Sequence, residues 1–166
     1  MRSLVALVVA AAALTAASPS AAVDAAGVRL AGVVLASPTR SSFYLADRVG
    51  RVALVLATRS FPAGTRVSVT GTAGADGWTV FANGLADRVV RVGTARRVAV
   101  RAQVGFVDSE RRRFQLAAHG QIVADVRFAA ALAQRLVRLS FERPLRTHVL
   151  TLAVAQSGLV LVALRG

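Results

Sequence analysis

The chain has 166 residues, 55% of them hydrophobic, with 21 basic against 8 acidic residues and a net charge of +13. It contains no cysteine and every basic residue is arginine, which excludes disulfide stapling, thiol chemistry and cysteine-based zinc sites. The apolar fraction argues against disorder despite the charge, and the basic excess favours polyanionic partners: nucleic acid, lipid head groups or acidic polysaccharide.

In chain order, Arg2 precedes an apolar run from Leu4 to Ala17 and the small-residue stretch Ser18-Pro19-Ser20-Ala21-Ala22. This is the pattern of a secretory signal peptide, with cleavage expected after Ala22; an uncleaved anchor is the alternative, although the run is shorter than the ~20 apolar residues a membrane span needs. The protein is therefore expected to be exported, periplasmic or secreted. A first domain is expected over residues 23–94. Val28 to Leu35 reads as a strand, broken by Ser37-Pro38-Thr39-Arg40-Ser41-Ser42. Phe43 to Leu45 and Arg51 to Ala57 form a hairpin through Asp47 to Gly50. Ser60 to Gly64 is a loop, Arg66 to Thr72 a strand, and Asp76-Gly77 a hairpin turn leading to strands Trp78–Ala82 and Arg88–Val92.

A second domain, residues 95–166, repeats the plan. Arg97 to Val107 is an alternating strand and Asp108 to Arg112 a polar turn. Phe114-Gln115-Leu116-Ala117 restates Phe43-Tyr44-Leu45-Ala46, and Gly120 to Val126 restates Gly50 to Leu56, each about 70 residues on, a domain-sized period rather than a solenoid repeat. Arg135 to Ser140 parallels the strand Arg66–Gly71. Ala129 to Leu136 is the one helix candidate, and His148–Ala155 with Leu159–Leu164 closes the set as a hairpin.

The motifs Phe43-x-Leu45-x-Asp47-x-x-Gly50 and Gly64-x-x-Val67-x-Val69-x-Gly71 resemble OB-fold domains of the nucleic-acid-binding type, and the pair of halves resembles extracytoplasmic OB modules of bacteria. The resemblance implies an all-β protein of two tandem five-stranded OB-fold barrels with a binding face and no cofactor. The second half departs from it: Ala118-His119 replaces the Asp-containing turn and Ser140 stands in place of Gly71, so its barrel is expected to be irregular or open.

Catalytic patterns are missing. The two histidines, His119 and His148, lie apart, and Asp108 and Glu110 sit beside Arg111, Arg112 and Arg113, which would keep both carboxylates ionised. The expected function is binding, not catalysis. Alternation of side chains places Leu30, Val34, Phe43, Leu45, Val52, Leu54 and Leu56 inward in the first barrel, with Arg29, Tyr44, Arg48 and Arg51 outward. In the second, Ala102, Val104, Phe114, Leu116, Ile122 and Val126 point inward and Arg101, Gln103, Arg113, Gln115, Gln121 and Arg127 outward. Arginines around one tyrosine suit single-stranded nucleic acid, with Tyr44 stacking on a base and Arg111–Arg112 clamping phosphate. Tyr44 could equally cap the barrel, and Trp78 reads as either a loop contact or a core plug. The competing reading is a protein-interaction module of the periplasm or cell wall, engaged through an edge strand or groove.

Overall fold

The computed structural model describes residues 27–142 and 146–165. The expected leader and its cleavage site lie outside the described residues.

Two β-rings follow one another along the chain, built on the same wiring. In the first, β1 (Gly27–Thr39), β2 (Ser42–Asp47), β3 (Val52–Ala57), β4 (Thr65–Ala73) and β5 (Thr79–Ala82) run in the order β1-β2-β3-β5-β4, and β1–β4 pairing closes the ring. The length of β1 makes this possible: Gly27 to Val33 pairs with β4, and Gly32 to Thr39 pairs with β2 across two register shifts. Such irregularities bend a strand enough to serve both neighbours. β6 (Arg88–Thr94) is added onto β4 and pairs with no other strand among the described residues.

The second ring is a closed barrel of β7 (Arg97–Asp108), β8 (Arg113–Ala118), β9 (Gln121–Arg127), β10 (His148–Ala155) and β11 (Gly158–Arg165), in the order β10-β11-β9-β8-β7. Its long first strand again pairs on both sides, and its third and fifth strands are again parallel, Leu159 facing Val126 as Leu54 faces Thr79 in the first ring. The second half is thus closed, not open, and the expected irregularity is present as register shifts in the β7–β8, β8–β9 and β10–β11 ladders. Closure depends on strand pairing and core packing, and neither needs the aspartate turn that the second half lacks.

The connection after the third strand plugs each ring differently. In the first it is a loop that drives Phe61 against Phe43, edge to face at 5.6 Å between ring centroids. In the second, a 3-10 turn (Ala130–Leu132) leads into α1 (Ala133–Glu142), which buries Leu136 fully in the core. Arg135–Ser140 is therefore helical and not the counterpart of Arg66–Gly71; β10 fills that place. Leu136, Leu139 and the preceding Leu132 recur at helical spacing and all pack on one core, which decides for helix over strand.

The first ring's interior holds Val34, Phe43, Leu45, Val55, Ala57, Val67, Val69, Val80 and Ala82. Val52, Leu54 and Leu56 are not among them, contrary to the sequence reading. Ala46 pairs with Val52 across the turn, so Phe43 stands opposite Val55, and odd-numbered residues of β2 share their face with odd-numbered residues of β3. A similar slip affects Ile122, expected inside but 54% exposed. A register shift between Leu116 and Ala117 leaves Ala117 opposite Ile122 and turns its side chain outward.

The outer face of β1–β3 is not solvated. Val33, Leu35, Tyr44, Ala46 and Val52 join the hydrophobic cluster of the second barrel, while the first ring's interior remains a cluster of its own. The linker between them, Ala95 and Arg96, is bonded to both sides: the Ala95 N–H donates to the Gly64 carbonyl at 2.8 Å, and the Val154 N–H donates to the Arg96 carbonyl at 3.0 Å. Gly64, at φ +83, has no room for a Cβ, which would overlap Val154. Gly50, at φ +84, accepts the Arg101 N–H at 2.7 Å, and a Cβ added there would press on the Ala99 carbonyl oxygen at 3.2 Å. Tyr44 sits at the centre of this junction, 7% exposed, its hydroxyl donating to Gln121 Oε1 at 3.2 Å. Tyr44→Ala is expected to destabilise the protein by about 3–5 kcal/mol, the range for truncating a buried aromatic, read as a lower midpoint in denaturant unfolding.

Candidate functional site: a junction cleft and an arginine corner

Tyr44 was expected on an exposed face, stacking on a base. Its burial between the barrels corrects that reading, because both sides of the ring are enclosed by protein. It belongs instead to a short aromatic stack. Trp78 lies parallel to Tyr44 at 6.5 Å, 5° between planes, and His119 covers Trp78 at 4.7 Å and 15°. The second barrel's departure from the first is explained here. Asp47 builds the first turn by accepting the Val49 and Arg51 N–H groups on Oδ1 at 2.9 and 2.8 Å. The corresponding second turn is a two-residue hairpin in which His119 and Gly120 both take positive φ, 52° and 73°. That conformation carries the imidazole onto Trp78.

The turn before Trp78 is fixed by Asp76. Thr79 Oγ1 donates to its Oδ2 at 2.5 Å, and the Thr79 and Trp78 N–H groups donate to Oδ1 at 2.8 and 3.1 Å. The Thr79 hydroxyl foremost, then its backbone N–H, hold the Asp76 carboxyl below its ordinary value of 3.8.

Beside this stack, Arg51 of the first barrel and Arg101 and Gln103 of the second line a cleft of about 550 Å³ between the barrels. Trp78 and His119 form part of its wall. Sequence reasoning placed neither in a site. The available signals were a lone tryptophan after an Asp-Gly turn and a histidine in the one turn that broke the repeat.

A second group gathers at the far end of β8 and β9. Arg111, Arg112, Arg113 and Arg127 surround a hollow of about 620 Å³. Arg113 stands directly opposite Arg127 across the β8–β9 ladder, and on its other side faces Asp108 of β7. Like charges so placed repel, which is unfavourable to the fold. Arg112 adopts φ 51 in the turn, and its carbonyl accepts the Phe128 N–H at 3.1 Å, fixing the turn against the end of β9. Gln115 lies one step along the same face, opposite Asp125. Arg111 Nε approaches Asp108 Oδ2 at 3.8 Å at the surface, a contact worth little in water.

Two expected residues join neither group. Arg29 is exposed on β1, level with Thr70 of β4, which in turn faces Arg88. Arg48 lines a smaller hollow of about 340 Å³ with Arg66 and Arg97. The residues expected on the two outward faces are thus dispersed over separate surfaces by the way the barrels dock. Among the described residues, no three His, Cys, Asp or Glu side chains gather to hold a metal ion, and no helix is long and apolar enough to cross a membrane.

Searches of protein-family models and of curated proteins find no match to this chain.

A depressed carboxyl stabilises the folded state above its unfolded pKa, and that contribution is lost as pH falls through the lower folded value. Trp78 is the sequence's one tryptophan. Acid titration of its emission is expected to show a step below pH 3.8 that Asp76→Asn abolishes.

Proposed function

We propose that this protein is an exported, non-enzymatic OB-type binding module that takes single-stranded nucleic acid or a similar polyanion on the outer face of its second barrel. The observation that carries the reading is the convergence of Arg111, Arg112, Arg113 and Arg127 around one hollow, with Arg113 opposite Arg127. OB barrels bind extended ligands across their second and third strands and the loop joining the first two. In the first barrel that face is covered by its neighbour. In the second, β8, β9 and the Asp108–Arg112 turn remain exposed and carry these arginines.

On this reading guanidinium groups straddle successive phosphates, and Gln115 supplies a neutral donor and acceptor beside them. With Tyr44 buried, base stacking plays no part in the first barrel, and charge neutralisation is the main source of affinity. Four arginines on single strands give a slope of log K against log salt of about −3. Arg113→Gln with Arg127→Gln is expected to flatten that slope by about 1.4, whereas Asp125→Asn, which removes an opposing charge from the same face, is expected to tighten binding. A fluorescent oligothymidylate titrated at several salt concentrations measures all three. No binding at low salt, or binding that salt leaves unchanged, would sink the proposal.

A protein partner is the second reading. It is favoured by β6, which among the described residues pairs on one side only and exposes Val90 and Val92, a surface suited to strand addition. Against it, Arg59 Nη2 already donates to the Val89 carbonyl at 2.9 Å. That contact occupies an acceptor an added strand would need, as charged side chains on edge strands commonly do.

A further inference from the structure

We propose that the cleft between the two barrels is a separate site for an amphiphilic anion: an apolar body carrying one carboxylate or phosphate head. The inference stands apart from the polyanion face, since it uses other residues and another ligand chemistry.

The cleft's volume, about 550 Å³, lies within the range of small-molecule sites. Its charge comes from two different barrels. The Arg101 N–H donates to the Gly50 carbonyl, which sets Arg101 next to Arg51 in space although 50 residues separate them in sequence. The ion pairs among the described residues are Arg111–Asp108 and Arg138–Glu142, so neither cleft guanidinium is matched with a carboxylate there. Asp47 is the acid that lines the cleft, and its Oδ1 is already engaged by two backbone N–H groups of its own turn. Two cations against one committed carboxylate leave an excess positive charge suited to a single anionic head, which guanidinium groups hold by paired hydrogen bonds.

Away from that rim the wall is aliphatic, formed by Val28, Leu30, Val52, Val80 and Ala102. Water against such a surface is unfavourable, and an apolar ligand body would displace it. His119 already stacks on Trp78 at 4.7 Å, and Tyr44 lies parallel to it at 6.5 Å, so the indole has its stacking partners within the protein. This disfavours a stacked nucleobase and favours a flexible hydrocarbon.

Trp78 lines the cleft and is the sequence's one tryptophan, so its emission reports occupancy directly. The full chain would be titrated with decanoate, decyl phosphate, decanol and inorganic phosphate, each kept below any micellar concentration, with equilibrium dialysis as a readout independent of Trp78. Saturable binding of decanoate or decyl phosphate is expected, at least about tenfold tighter than decanol, with inorganic phosphate giving no change. Arg51→Gln with Arg101→Gln, both at exposed positions, is expected to weaken the anionic amphiphiles by about tenfold or more while far-UV dichroism stays unchanged. Arg113→Gln with Arg127→Gln is expected to leave them unaffected, which separates this site from the polyanion face. Failure of both anionic amphiphiles to saturate, decanol binding as tightly as they do, or undiminished binding to the Arg51/Arg101 variant would each overturn the proposal.

Discussion

Burial of the outer face of β1–β3 against the second barrel is the constraint on which the rest depends. A five-stranded ring alone has one buried and one solvated side. Here Val33, Leu35, Tyr44, Ala46 and Val52 give the first ring a second apolar side, and the second barrel covers it. Gly50 and Gly64 permit the close approach, each through a positive φ and the lack of a side chain. The aromatic stack of Tyr44, Trp78 and His119 then runs from the first ring's outer face to a turn of the second. With the linker bonded to both sides, relative motion of the rings would break hydrogen bonds and expose apolar surface together. The pair is accordingly one cooperative unit.

This docking also decides which surfaces stay open. It removes the first ring's most regular face from solvent and leaves a cleft along the seam, so duplication of one barrel plan yields two different surfaces. The far face of the second barrel keeps its arginines exposed and mutually opposed, whereas the seam combines cations with aliphatic walls. One arrangement suits a chain of repeated charges and the other a single charge on an apolar body. Of the sequence's 8 acids, Asp47, Asp76, Asp87 and Asp108 accept backbone N–H groups in turns, and arginine outnumbers the acids throughout.

Much of the fold was legible from local pattern. The Asp-Gly turn before Trp78, the alternation in β4 and β7 and the hairpin at the end of the chain come from side-chain periodicity and turn chemistry, which act over a few residues. Face assignment was less secure. Val52 and Ile122 were misplaced because side chains alternate strictly, and one residue more or fewer in a turn or bulge inverts everything beyond it. The helical Arg135–Ser140 segment was masked by its resemblance to a strand of the first half; its apolar residues suit either period over so short a span.

The sequence by itself determined that this is an all-β chain with a repeated barrel plan, strongly cationic and without cysteine, because composition and short-range alternation are local properties. It also held the Arg111–Arg113 turn in plain view. Only the tertiary structure decided that Tyr44 is buried between the rings, that Arg113 stands opposite Arg127, and that Arg51 and Arg101 line one cleft. Those pairings depend on register and on how one barrel rests against another. Both follow from packing many residues at once, and no short stretch of sequence encodes them.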